Sequence, residues 1–261
     1  MTLSTQGFGV SQKWKENYDK YYKTEQSEWR WIGSATKFQN IADLCSDIQH
    51  EKVLEIGSGE GALLKRMNDA GFASSLHSLE ISQSSLSCLS ALGLPRLAEA
   101  RLFDGYTIPY PDAAFDLAVL SHVVEHLEYP RRLLYEAARV ARWVFVEVPL
   151  EHTARLRMDY SFDPVGHINF YTAKTIRRLL QTCGLRVEKQ IVTNIGKEVQ
   201  IYMRGAVSGL CMYYFKELLL RVTYPVAASL VTYHCALLAV SAESSSLSSS
   251  SSAATLPIRA R

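Results

Sequence analysis

The sequence predicts an α/β fold in which a mostly parallel sheet carries helices on both faces. Short runs rich in Val, Ile and Leu alternate with longer amphipathic stretches through brief connections, the pattern of parallel strands joined by helical crossovers. The run Val53-Leu54-Glu55-Ile56-Gly57-Ser58-Gly59-Glu60-Gly61 joins a strand to a glycine-rich turn and then to a helix. There the backbone can approach a ligand closely, and the helix start offers it unpaired N–H groups. The next strand-like run, Ser75 to Ile81, ends in Glu80, about twenty residues beyond the glycines, where a nucleotide site places its acceptor for ribose hydroxyls.

In chain order, residues 1–50 are expected to form an N-terminal helical cap. Trp14, Tyr18, Tyr21, Tyr22, Trp29 and Trp31 crowd together in it, and Tyr22, Trp29 and Arg30 are candidates to close over a ligand, Arg30 on a carboxylate. Ordinary packing of an N-terminal helix explains the same aromatics. The main domain spans 51–242, with strands near 52–57, 75–81, 98–103, 115–121, 143–148, 185–193 and 231–240. Helices fall near 61–70, 83–92, 131–141 and 173–182. Residues 194–228, rich in Leu and Tyr, read as a helical insertion before the last strand; it shapes an acceptor pocket, makes a dimer contact or forms a membrane-surface patch, and periodicity does not separate these. The stretch Val222 to Ala242 holds no Asp, Glu, Lys or Arg, long enough to span a bilayer. Polar residues and Pro225 interrupt it, so its end reads as a buried strand rather than a transmembrane helix. The serine-rich tail, 243–261, is expected to be disordered.

Charge selects among nucleotide ligands. The glycine spacing is G-x-G-x-G rather than G-x-G-x-x-G, and Glu60 inside the loop would repel a pyrophosphate. S-adenosylmethionine brings an amino group and a sulfonium, cationic partners for Glu55 and its neighbours. VLEIGSGEGALL, LEIS, Phe103-Asp104-Gly105 and FDLAVLSHVVEHL together resemble the class I S-adenosylmethionine-dependent methyltransferases, of the type 11 and type 23 small-molecule branch, over about residues 15–200. The resemblance implies a Rossmann-like sheet of seven strands, the last inserted antiparallel beside the fifth. It also implies that Glu55, Gly57, Ser58, Gly59 and Gly61 hold the methionine part, that Glu80 takes the ribose hydroxyls with Ile81 beside it, that Asp104 and Gly105 face the adenine, and that Ser121 lies beside the sulfonium.

Methyl transfer needs alignment and, for an alcohol or ammonium acceptor, a base. Histidines after the strand ends are the candidates: His122, His126, His152 and His167. His167 and His152 are favoured as base or acceptor-orienting groups, although the Gly166 to Thr172 run also resembles a loop in relatives whose histidine is an anchor. The adopted reading has no metal. Its alternative is a divalent ion on His122, Glu125, His126 and His167, which resembles the E-x-x-E-H plus distant His arrangement of small-RNA 2′-O-methyltransferases and some quinone O-methyltransferases; such a set suits Zn, Mn or Fe.

A net charge of +2 argues against a dedicated nucleic-acid binder, although residues 151–261 carry 13 Lys and Arg against 7 Asp and Glu. Five cysteines without C-x-x-C spacing suggest neither a disulfide framework nor a zinc cluster, and no secretory signal is visible, so a cytoplasmic location is expected. The oligomeric state stays open. The function expected is methyl transfer from S-adenosylmethionine to an O or N atom of a small molecule, sugar-like or a secondary metabolite. The alternatives are O-methylation of a quinone or lipid precursor at a membrane surface, and a non-catalytic cofactor-binding module; a dinucleotide oxidoreductase is disfavoured by Glu60 and the glycine spacing.

Overall fold

A computed structural model describes residues 9–24, 28–154, 156, 166–241 and 259–260. Two helices precede the sheet, α1 (Gln12–Thr24) and α2 (Glu28–Leu44). Then β1 (Lys52–Ile56), α3 (Ala62–Asp69), β2 (Ser75–Glu80), α4 (Gln83–Ala91), β3 (Leu97–Leu102) and β4 (Phe115–Ser121) alternate as expected. After a short 3-10 turn at Val124–His126 come α5 (Pro130–Val140), β5 (Ala141–Leu150), α6 (Ala173–Gln181) and β6 (Leu185–Thr193). The chain continues through α7 (Lys197–Arg204), α8 (Ala206–Leu230) and β7 (Tyr233–Ser241), with a two-residue strand β8 (Arg259–Ala260).

The sheet order is β3-β2-β1-β4-β5-β7-β6-β8. Strands β1 to β5 pair in parallel, and β7 enters antiparallel between β5 and β6, as the resemblance implied. β8 pairs with β6 at Ile191 and Val192, an eighth strand not foreseen at the end of the expected disordered tail; residues 242–258 of that tail lie outside the described residues. β5 is longer than expected because its pairing with β7 runs unbroken from Trp143 to Leu150, and its first residue, Ala141, caps α5.

Alternate side chains of the central strands feed two cores, one on each face. Leu54, Ala118, Val146 and Leu237 meet α5 and α6 on one side; Val53, Val119, Phe145 and Leu238 meet α2 and α3 on the other. Burying each such Leu or Phe contributes about 2 kcal/mol. The first turn of α4 is capped by Ser82, whose Oγ accepts the Ser85 N–H at 3.2 Å. The same Ser82 hydroxyl donates to Asp19 of α1 at 2.6 Å, which ties the N-terminal cap to the sheet's edge helix.

The expected insertion at 194–228 is α7 plus the long α8, kinked at Thr223 (φ −142°, ψ 49°) two residues before Pro225, which has no N–H to donate to the helix ladder. Among the described residues no helix is long and apolar enough to cross a membrane.

Candidate active site

The carboxyl ends of β1, β2 and β4 open into a cleft of about 650 Å³, walled by α1, α2 and α7, where open α/β sheets bind ligands.

At one end the glycine turn is fastened to β2. Glu80 Oε2 accepts the Gly59 N–H at 2.7 Å, and its Oε1 accepts from the N–H groups of Ile81 (2.7 Å) and Ser82 (3.3 Å). Burial raises the Glu80 pKa against these three bonds. Gly59 stands at φ +55°, where a Cβ would lie 2.8 Å from the Tyr22 hydroxyl, so backbone and ring leave a cradle that only glycine fits. Glu55 is buried with Oε2 lacking a hydrogen-bond partner, and burial pushes its carboxyl up to about 8 against the pull of Lys37. Arg30 donates to Glu60 Oε1 at 3.2 Å and lies 4.9 and 5.2 Å from the ring centres of Tyr21 and Tyr22, contacts worth about 1 kcal/mol apiece. Its carboxylate partner in the structure is therefore Glu60.

The other end is polar, and most of its groups come from distant parts of the chain. Glu147 of β5 accepts from Ser121 Oγ at 2.9 Å and from Asn40 Nδ2 of α2 at 2.7 Å. Burial alone would raise the Glu147 carboxyl, but the nearby imidazoles of His234 and His122 and the Lys37 ammonium hold it at about 2. His234 of β7 sets Nδ1 3.7 Å from Glu147 Oε1, and its ring centre lies 4.5 Å from that of His122. Lys37 is pushed toward its neutral form by burial and pulled back by Glu147, Glu125 and Glu55. His167 bonds through Nδ1 to Glu151, and its Nε2 is 3.9 Å from Glu125 Oε1. His126 contacts the Gly166 carbonyl at 3.3 Å and Tyr18 edge-on.

Of the residues named from the sequence, Tyr22, Arg30, Glu55, Gly57, Ser58, Gly59, Glu80, Ile81, Gly105, Ser121 and His167 line this cleft. Three expected residues do not. Gly61 closes the turn at φ +87° and faces α4, where a Cβ would meet Leu89 at 2.5 Å; it is a packing glycine. Asp104 spends Oδ1 on the N–H groups of Tyr106 (2.7 Å) and Thr107 (2.6 Å), the side-chain bond of an Asp turn. His152 is exposed just past the end of β5, at the centre of a tight turn in which the Thr153 N–H donates to the Glu151 carbonyl at 2.7 Å; it is its neighbour Glu151 that bonds His167.

The proposed metal set also divides. The turn after β4 is a short 3-10 turn, not a continued helix face, so His122 groups with Glu147 and His234, while Glu125 groups with His126 and His167. Lys37, Asn40, Glu147 and His234 were not anticipated. For His234 and Glu147, the one available signal was a polar residue placed in an otherwise apolar strand.

A family described as a methyltransferase domain matches residues 28–190. No curated protein matches the chain. Among solved structures, geranyl diphosphate methyltransferase with GPP and sinefungin superposes with a TM-score of 0.60 at 9% identity, covering 87% of this chain and 99% of that one. A putative sarcosine dimethylglycine methyltransferase from Galdieria sulphuraria gives 0.59 at 13% identity, covering 90% and 92%. A SAM-dependent methyltransferase from Aquifex aeolicus gives 0.51 at 17%, covering 77% and 88%. At these identities the likeness is one of fold.

Proposed function

Because the chain belongs to the methyltransferase-domain family, the class I S-adenosylmethionine-dependent enzymes, we propose that it methylates an oxygen or nitrogen of a small molecule held at the histidine end of the cleft. A sugar-like compound or secondary metabolite is the acceptor class that a polar floor and a partly apolar wall suit. The observation that carries the proposal is one continuous cleft, with Glu55, Gly59 and Glu80 at one end and His122, His126, His167 and His234 at the other. The buried Glu55 oxygen without a partner and the open cradle over Gly59 suit a cofactor with a cationic methionine head.

S-adenosylmethionine supplies a methyl carbon already activated by the sulfonium. The protein's share is alignment and proton removal. In this reading His167 takes the acceptor's proton at Nε2, and Glu151, bonded to Nδ1, steadies the imidazolium that forms. The loop is fixed independently of that ring: the Ile168 and Asn169 N–H groups donate to the Glu125 carbonyl, and Asn169 Nδ2 donates to the Leu127 carbonyl at 2.7 Å.

The test is production of S-adenosylhomocysteine across hydroxyl and amine acceptors, with calorimetric binding of S-adenosylhomocysteine alongside. His167→Ala is expected to lower turnover roughly a hundredfold with product affinity near wild type. Wild-type turnover would make His167 a loop anchor, and binding of NADH without S-adenosylhomocysteine would overturn the reading altogether.

One observation favours a second acceptor class, a quinone or lipid precursor taken from a membrane surface. Tyr202 and Met203 line the cleft yet are largely exposed, and α8 continues their apolar surface with Val207 (79% exposed), Tyr214, Leu218 and Val222 (69%). Such a contiguous patch marks a contact surface. Sedimentation with vesicles of neutral and of anionic lipid checks it: a pelleted protein released by Leu218→Glu supports this reading, and a protein wholly in the supernatant rejects it.

A further inference from the structure

We propose that His122, Glu147 and His234 bind one divalent transition-metal ion at the acceptor end of the cleft; what the ion does there rests on the methyl-transfer reading above. The three side chains leave the ends of β4, β5 and β7 and present one donor atom each within 4.8 Å of one another. Donors around a bound transition metal lie roughly 3–4 Å apart, so small side-chain rotations complete the coordination.

The surroundings are those that orient metal ligands. His122 Nδ1 is 3.2 Å from Glu125 Oε1, and Glu125 is fully buried with neither carboxylate oxygen hydrogen-bonded. With its proton on Nδ1, the nitrogen nearer that carboxylate, His122 keeps the Nε2 lone pair for a metal, and a small turn of the ring would complete the carboxylate–histidine pair that orients metal ligands. His122 Nε2 and His234 Nδ1 are both buried with no hydrogen-bond partner, an uncommon state for buried polar atoms. Glu147 is held from behind by Asn40 and Ser121, as ligating carboxylates usually are.

The backbone points the same way. His122 sits at φ +58°, a left-handed conformation that costs a bulky residue free energy, and its N–H is pinned to the Glu147 carbonyl at 2.9 Å. That conformation turns the ring into the cleft. The neighbouring trio is more committed, with His126 on the Gly166 carbonyl and His167 on Glu151. Two imidazoles and one carboxylate suit Mn, Fe, Co or Zn rather than Mg or Ca. The remaining coordination positions open on the cleft, where an acceptor hydroxyl bound to the ion would lose its proton more readily.

The full chain, stripped with chelator and dialysed, should take up one equivalent of Co2+ alone, read by calorimetry and by visible d–d absorption. His234→Ala and His122→Gly should each weaken uptake roughly a hundredfold or more while keeping wild-type affinity for S-adenosylhomocysteine. His122→Gly relieves the left-handed strain, so it remains informative should the alanine variant unfold. Gly59→Arg should lose S-adenosylhomocysteine and keep Co2+. The assignment is overturned if wild type takes up no Co2+, if both variants bind it as wild type does, or if His126→Ala loses it and His234→Ala does not. Co2+ uptake without any S-adenosylhomocysteine binding would overturn the methyl-transfer reading and leave the metal site standing.

Discussion

Gly59→Arg is expected to remove measurable binding of S-adenosylhomocysteine while leaving a folded protein. Two costs add at this position. The residue stands at φ +55°, a left-handed conformation that costs a non-glycine about 1–2 kcal/mol. A Cβ there would be 2.8 Å from the Tyr22 hydroxyl, so α1 must move or the side chain must grow into the cofactor end of the cleft. The Gly59 N–H also donates to Glu80 Oε2, so a displaced loop loses one of the three backbone bonds that hold Glu80 in place. Glu80→Ala is the milder companion: it deletes the proposed ribose acceptor and leaves the Gly59, Ile81 and Ser82 N–H groups without that carboxylate. A loss of about 1.5–3 kcal/mol, or roughly ten- to a hundredfold in affinity, is expected. Calorimetry with circular dichroism as the folding control checks both, and unchanged affinity in Gly59→Arg would reject the site.

The glycine-turn end, proposed to hold the cofactor, was legible in the sequence because it is local: a strand, a glycine turn and the acidic end of the next strand lie within 53–80, and their order dictates their juxtaposition. The histidine end, where the acceptor is proposed to bind, was not, because it is assembled across the sheet. Asn40 reaches Glu147 from 107 positions away and Thr193 from 153, and His234 sits in a strand whose apolar residues announce only burial. The antiparallel entry of β7 beside β5 brings His234 to Glu147, and that pairing came from the resemblance rather than from the residues. Two residues named from the sequence stand outside the cleft lining for one reason. Gly61 and Asp104 are residue types that serve backbone turns as readily as ligands, and at both positions the turn claims them. His152 falls in the tight turn after β5, where the Thr153 N–H bonds the Glu151 carbonyl, and a turn of that kind leaves no residue periodicity from which to tell which side chain meets the site.

Cofactor affinity is expected to rise with pH and apo stability to fall, with Glu55 responsible for both. Burial lifts its carboxyl from the usual 4.5 to about 8, so at pH 6 the folded apo protein holds a proton there that the unfolded chain does not. A group with a raised folded-state pKa contributes its full stability below the unfolded value and loses it as pH climbs through the folded one. The apo melting temperature should therefore decline between about pH 4.5 and 8. An α-ammonium bound beside Glu55 reverses the preference and favours the carboxylate, so binding expels the proton. Between pH 6 and 7.5 the affinity for S-adenosylhomocysteine should then rise about tenfold per unit, with nearly one proton released per complex. Calorimetry at pH 6.5 in two buffers of different ionisation heat counts that proton. Glu55→Gln should flatten both slopes, since its amide stays neutral at every pH while Lys37 and Glu80 are left in place. A pH-independent affinity in the wild type would mean that the cofactor's cationic head does not meet Glu55, and the methionine part of the site would have to be sought elsewhere along the cleft.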